Sequence, residues 1–224
     1  MMKIKRLVSV CTMTVMLACC GFSASARELF TDVPESEWAA PYIYNLADRG
    51  IIGGYGDGSF LPWNEVQRCE YAKMLVNITG IPIVPSSVSP YSDVPYGEWF
   101  FPYVNASTAY MTGFQASDGT LYFSPTESAS REDVAVSMVK ALGLDISKYT
   151  DPNGFLAARF GDWQDVSSFN RPYICAAVDN GVITGDVPQN GVGTFRPHDP
   201  ILRAEIVFVP VSYTHLTLPT TPYV

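Results

Sequence analysis

The sequence predicts a mainly α protein, made of three tandem helix-loop-helix repeats packed as a pseudo-threefold cluster. Three observations predict it. Five short phrases return three times in the same order, and apolar residues recur at helical spacing on both sides of a glycine-rich loop. Each unit of about fifty residues is also too small to bury a core alone, so the units must pack on one another and leave grooves between them.

The opening phrase Phe30-Thr-Asp-Val-Pro34 returns as Tyr91-Ser-Asp-Val-Pro95 and as Trp163-Gln-Asp-Val166. Trp38-Ala-Ala-Pro-Tyr-Ile43 returns as Trp99-Phe-Phe-Pro-Tyr-Val104 and Phe169-Asn-Arg-Pro-Tyr-Ile174. Gly50-Ile-Ile-Gly53 reappears as Tyr110-Met-Thr-Gly113 and Gly181-Val-Ile-Thr-Gly185. Then come Gly58-Ser-Phe-Leu-Pro62, Leu121-Tyr-Phe-Ser-Pro125 and Gly193-Thr-Phe-Arg-Pro197. The closing phrase is Gln67-Arg-Cys-Glu70, Ser130-Arg-Glu-Asp133 and Leu202-Arg-Ala-Glu205. The repeats run over residues 27–80, 88–143 and 160–210.

In the first unit, Tyr42, Ile43, Leu46 and Ala47 fall at helical spacing, Pro41 suits a first turn and Gly50 supplies a stop. The stretch from Gly53 to Phe60 has glycine every second or third residue and reads as a sharply turning loop before Pro62. Tyr71, Met74, Leu75 and Ile78 then mark a second amphipathic helix that ends at Gly80. Tyr42, Tyr71, Tyr103 and Tyr173 read as core, whereas Trp38 and Trp99, just before a helix entrance, read equally as core or as groove wall.

The closing phrase marks where the second helix starts. Ser130-x-x-Asp133 is close to a capping box, and Glu70, Asp133 and Glu205 are acids where the helix dipole favours them. The arginine beside them, Arg68, Arg131 or Arg203, opposes that dipole, so something beyond the helix must favour it. Two readings stand: a salt bridge to a neighbouring acid, or a fork that binds an anion.

Composition narrows the function. The 224 residues carry 14 Lys and Arg against 22 Asp and Glu, a net charge of −8, which repels phosphate backbones and argues against nucleic-acid binding. Two histidines and five cysteines without a CxxC pair provide neither a zinc cluster nor a His-based triad. No catalytic residue, metal ligand or cofactor site is expected, and the prominent acids all have capping or turn roles.

Residues 1–26 have the basic head, apolar stretch and Ala24-Ser25-Ala26 ending of a secretory signal peptide, so the protein is expected to be exported. A lipoprotein signal cleaved before Cys19 is the alternative. Without this leader the chain holds 11 bases against 22 acids, and no transmembrane segment is expected in it. Cys69 and Cys175 remain as small buried hydrophobes. At the other end, residues 211–224 form a charge-free, Thr-rich string. Its Ser212-Tyr-Thr-His-Leu216 resembles a sequencing-library transposase adaptor read through as protein, so these residues are expected to be foreign and the third repeat truncated.

Taken together, the phrases resemble the S-layer homology (SLH) domain in order and spacing over residues 30 to about 209. The resemblance implies three repeats forming a pseudo-threefold spindle that tethers an exported protein to the bacterial cell wall or S-layer. The implied partner is a secondary cell-wall polymer with pyruvylated amino-sugar ends, or a peptidoglycan-linked polymer. The family pattern places ligand-binding positions at Asp32, Trp38, Gly53 and Arg68; at Asp93, Trp99, Gly113 and Arg131; and at Asp165, Gly185 and Arg203.

Several positions depart from that pattern. Gln67 and Leu202 replace a capping Thr, a loss of about 1 kcal/mol each that should let those helix starts fray. Glu132-Asp133 stands where Ala-Glu is usual, and Phe169 replaces Trp at a spacing two residues shorter from Asp165. The resulting expectation is a non-catalytic anchor. The alternative is the N-terminal anchor of a longer exported enzyme, such as a glycan hydrolase, or of an S-layer subunit.

Overall fold

At the heart of the fold three backbone hydrogen bonds form a closed ring. Val66 N–H donates to the Ile201 carbonyl (3.0 Å), Ile201 N–H to Ala129 (2.9 Å) and Ala129 N–H to Val66 (2.8 Å). All three side chains are fully buried. The computed structural model describes residues 30–186 and 191–208. The leader read over residues 1–26 and the foreign tail read over 211–224 lie outside them.

Along the chain run α1 (Ala40–Asp48), α2 (Arg68–Thr79), α3 (Phe101–Ser107), β1 (Phe114–Gln115), β2 (Leu121–Tyr122), α4 (Arg131–Ala141), α5 (Pro152–Ala157), α6 (Arg171–Asp179) and α7 (Arg203–Ile206). The fold is mainly α, as the sequence predicts. The first helices α1, α3 and α6 each take the proline of the entrance phrase in the first turn, where its missing N–H costs nothing. They bury one face each, through Ile43 and Leu46, Phe101 and Val104, and Ile174 and Cys175. The second helices α2, α4 and α7 all begin on the arginine of the closing phrase. Gly80 ends α2 in the left-handed conformation (φ 69°), which glycine adopts without strain.

Packing runs from each repeat to the next. Helix α2 lies on α3 and α4 lies on α6, while Phe208, just past α7, meets Tyr42 of α1 edge to face at 5.1 Å. Tyr71 is wholly buried between α2 and α4, where its hydroxyl donates to the Val134 carbonyl at 3.2 Å and lies 2.6 Å from Ser137 Oγ. Tyr42, Tyr103 and Tyr173 are partly buried against the same core.

The second helices do not need the caps they lack. Gln67 and Leu202 make no side-chain cap, but Arg68 and Cys69 donate their N–H groups to Glu127 (2.8 Å) and Pro125 (3.0 Å) of repeat two. Arg131 and Glu132 likewise donate to Asp199 and Pro197 of repeat three, and Arg203 and Ala204 to Asn64 (2.9 Å) and Pro62 (2.7 Å) of repeat one. The expected fraying is thereby corrected: carbonyls of the neighbouring repeat satisfy the free amides that a capping side chain would otherwise serve.

Helix α5, between repeats two and three, was not anticipated. Its signal was present, since Asp151 accepts from Gly154 N–H at 3.0 Å as an N-cap and Pro152 follows in the first turn. Among the described residues no helix is long and apolar enough to cross a membrane.

Candidate functional site

The three arginines hold equivalent places at the three junctions. Arg68 donates from Nε to Phe123 O (2.8 Å), from Nη2 to Thr112 O (2.6 Å) and from Nη1 to Asp133 (2.8 Å), all in repeat two. Arg131 makes the same bonds to Phe195 O (2.9 Å), Thr184 O (2.7 Å) and Glu205 (3.1 Å) in repeat three. Arg203 returns to repeat one, donating from Nε to Phe60 O (2.7 Å) and from Nη2 to Gly53 O (3.0 Å), with Nη1 3.7 Å from Glu70. Each is 2–4% exposed. Burial pushes the Arg131 guanidinium below its ordinary pKa, and Glu205 opposes that shift. The salt-bridge reading of these arginines therefore describes part of what they do, and backbone carbonyls take the rest.

The opening acids position those carbonyls. Asp32 accepts from the N–H groups of Phe60 and Leu61 (2.7 Å each), and Asp93 from Phe123 (2.8 Å) and Ser124 (2.7 Å). Leu61 and Ser124 have positive φ, near 58° and 57°, a conformation costly for residues other than glycine, and the carboxylate clamp secures it. In repeat three the clamp is Asp162, which accepts from Phe195 (2.8 Å) and Arg196 (2.7 Å), Arg196 having φ 56°. Asp165, chosen from the sequence, instead ends an exposed 3₁₀ turn at Trp163–Asp165. The third opening phrase is thus Phe160-Gly-Asp162, and Phe160 packs at a tilt against Phe195 as Phe30 does against Phe60 and Tyr91 against Phe123.

Gly113 and Gly185 pack tightly against these rings: a Cβ on Gly113 would lie 2.3 Å from Tyr91 Cε1, and one on Gly185 2.3 Å from Phe160 Cε1. Their counterpart in repeat one is Gly54, where a Cβ would meet Phe30 at 2.5 Å, whereas Gly53 has open space and contributes its carbonyl to Arg203.

Each junction opens into a cleft, and all three repeats contribute to it. The Arg203 cleft, 420 Å³, is lined by Gly53, Tyr55 and Glu70 of repeat one and Trp99 of repeat two. The Arg131 cleft, 270 Å³, has Gly185, Asp186 and Glu205 of repeat three and Trp38 of repeat one. The Arg68 cleft, 430 Å³, has Gly113, Phe114 and Asp133 of repeat two, with Ser167 and Asn170 of repeat three. Trp38 and Trp99 are about half exposed, 49% and 51%. Phe169, at the corresponding position of repeat three, is 90% exposed and does not line its cleft. Trp99 faces Lys73, whose Nζ lies 5.8 Å from its ring centroid. The Tyr55 hydroxyl, pushed up to about 12 by burial and by its bond to Glu70, remains a donor at neutral pH.

The S-layer homology domain pattern matches residues 29–72 and 159–207. These two stretches are S-layer homology domains. Over 177 residues the chain is 30% identical to an amylopullulanase of Thermoanaerobacterium thermosulfurigenes, a match covering 79% of this chain and 9% of that protein. It is 29% identical over 182 residues to the S-layer protein sap of Bacillus anthracis, covering 81% and 21%. With Exoglucanase XynX of Acetivibrio thermocellus it is 29% identical over 177 residues, covering 79% and 15%. The chain therefore spans at most about a fifth of the length of these relatives. The S-layer homology pattern falls on repeats one and three, and repeat two reproduces their clamp, glycine and arginine through Asp93, Gly113 and Arg131.

S-layer homology domains are anchoring modules of the bacterial cell envelope. Of the positions named from the sequence, the structure brings Trp38, Gly185 and Arg131 into one cleft; Trp99, Gly53 and Arg203 into a second; and Gly113 and Arg68 into the third. Asp32 and Asp93 lie behind the clefts as loop clamps. Lys73, Glu132 and Asp186 line clefts and were not anticipated, because each lies off the repeated phrases or departs from them.

Proposed function

We propose that these repeats anchor an exported bacterial protein to the cell surface by binding an acidic wall glycan in the inter-repeat clefts. The glycan is a secondary cell-wall polymer with pyruvylated amino-sugar ends, or a peptidoglycan-linked polymer. The observation that carries this reading is the guanidinium at the floor of each cleft, beside exposed aromatic rings and glycine backbone. A ketal carboxylate can pair with such a cation through charge-assisted hydrogen bonds, worth about 1.5–3 kcal/mol. A half-exposed indole stacks on the apolar face of a sugar, and glycine lets the ligand approach the main chain. Overall acidity does not oppose this, because screening confines the field to about 10 Å and the cleft cations lie nearer than that.

The repeats act here as a non-catalytic module over residues 27–80, 88–143 and 160–210. The relatives favour a wider setting, in which the module serves a longer protein: either an exported enzyme, as in the amylopullulanase and the exoglucanase, or an S-layer subunit. The reading frame beyond residue 210 decides between them.

The anchoring reading is tested by sedimentation. Residues 27–210 should pellet with isolated wall that carries pyruvylated polymer, and stay in solution with wall stripped of polymer or of its ketals. Retention on bare peptidoglycan would transfer the role to the other glycan class, and failure to pellet with any wall would overturn anchoring.

A further inference from the structure

The three clefts share a skeleton but not a charge. We infer that the acidic sugar is held in one cleft, between Arg203, Tyr55, Lys73 and Trp99, and that acids close the other two clefts to anions. This rests on the glycan reading above and narrows it to a place.

Consider first the arginine. In the Arg68 and Arg131 clefts the outer guanidinium nitrogen is already bonded to a carboxylate, Asp133 at 2.8 Å and Glu205 at 3.1 Å. In the Arg203 cleft the corresponding nitrogen stands 3.7 Å from Glu70, beyond hydrogen-bond distance. Glu70 and Glu205 both accept the N–H before their helix, from Gln67 and Leu202 (3.0 Å each), but Glu70 Oε1 also accepts from the Tyr55 hydroxyl (2.8 Å), a bond that Phe114 and Asp186 do not supply at the other junctions. An incoming carboxylate therefore has an outer edge of Arg203 to engage, while at the other two junctions it must displace a resident acid.

The neighbours differ in the same direction. Five residues after the junction arginine stand Lys73, Val136 and Phe208, so of the three clefts only that of Arg203 gains a second cation there. Lys73 Nζ lies over Trp99 and also over Tyr103, at 5.7 Å, which places its charge beside the stacking face. One residue into the helix stand Cys69, Glu132 and Ala204; Glu132 is 5% exposed and adds a second carboxylate to the Arg68 cleft. Its partners are neutral donors, Ser167 N–H (3.3 Å) and Asn170 Nδ2 (2.6 Å). After the packing glycine come Tyr55, Phe114 and Asp186, so the Arg131 cleft carries a carboxylate where the others have an aromatic ring. The lining of the Arg203 cleft thus has two cations and one acid, and the Arg68 cleft has one arginine and two acids, with His198 beside them. In the Arg131 cleft one lining cation meets two acids, both of which also pair with Arg196 behind the lining, Asp186 at 2.9 Å and Glu205 at 3.4 Å, which leaves that cleft without a positive excess. Among the described residues only the Arg203 cleft joins an indole wall to a net positive charge, and its 420 Å³ is within the roughly 300–1,000 Å³ of ligand clefts.

The test uses residues 27–210 and the wall carrying pyruvylated polymer. Lys73 and Trp99 are both exposed, so Lys73→Gln and Trp99→Ala should melt like the parent protein. Each should weaken wall retention about tenfold, the effect of losing one charged or stacking contact. Lys73→Gln should also flatten the salt dependence of what retention is left, which a merely structural lysine would not do. If the parent pellets and both variants pellet equally well, or if only Trp38→Ala releases the protein, the cleft assignment is overturned while anchoring stands. If the parent fails to pellet, anchoring itself falls and this assignment falls with it.

Discussion

Arg203 Nε donates to the carbonyl of Phe60, 143 residues earlier in the chain, at 2.7 Å. The bond fastens the third repeat to the first just as Arg68 fastens the first to the second and Arg131 the second to the third. A set of repeats that might have stacked in an open row is closed on itself, and every junction uses the same three guanidinium bonds or their near equivalent.

Removal of one arginine should therefore loosen the whole fold. In Arg68→Ala the Phe123 and Thr112 carbonyls and the Asp133 carboxylate lose their partner at a site where the arginine is 2% exposed. A loss on the order of 3 kcal/mol in urea unfolding is expected, with Arg68→Lys recovering only part of it because an ammonium cannot reproduce the fork. A loss under about 1 kcal/mol would show that the junction does not depend on the guanidinium.

The two candidate opening acids of repeat three separate cleanly. Asp162→Ala frees the amides of Phe195 and Arg196 and should cost about 1–3 kcal/mol, while Asp165→Ala at its exposed position should stay within about 0.5 kcal/mol. Equal thermal melts for the two variants would contradict the clamp.

The repeat architecture was legible in the sequence because its phrases recur and its helices keep their apolar spacing. The error at Asp165 has a physical origin: Trp163-Gln-Asp-Val166 mimics the opening phrase, whereas the functioning Phe160-Gly-Asp162 is recognisable only by what its ring and carboxylate reach. The arginines left two readings open because most of their partners are backbone carbonyls 44 to 150 residues away, and no side-chain pattern announces a carbonyl. Lys73 escaped notice for another reason, since an exposed lysine on a helix looks the same whether or not an indole from another repeat stands opposite.

Glycine substitutions should distinguish the packing position from the open one. Gly113→Ala would place a methyl 2.3 Å from Tyr91 Cε1 and 2.8 Å from Tyr122 O, and should cost about 1–3 kcal/mol by overpacking. Gly53→Ala, with nothing within 4 Å, should leave the melting temperature almost unchanged. A reversed order would mean that Gly53, rather than Gly54, is the counterpart of Gly113.

The two buried thiols should be silent until the fold opens. Cys69 and Cys175 are free, and burial pushes each thiol up to about 11. In protein starting at residue 27, a thiol reagent at pH 8 should react with neither in the native state and with both in denaturant. Because the folded thiols hold their protons more tightly than unfolded ones, their contribution to stability is complete below about pH 8.5 and is lost as pH rises towards 11. Unfolding midpoints that stay flat from pH 8 to 10.5 would contradict this.

The closed ring also has a kinetic consequence. Its last bond joins residues 143 apart, against 55 and 64 for the other two arginine bonds, so the closing step waits until nearly all of the chain is available. Repeats one and two alone already form the Arg68 junction but leave Arg131 and the Phe60 carbonyl without their partners in repeat three. Because residues of all three repeats line each cleft, none of the three clefts is complete until α7 has docked on the first repeat.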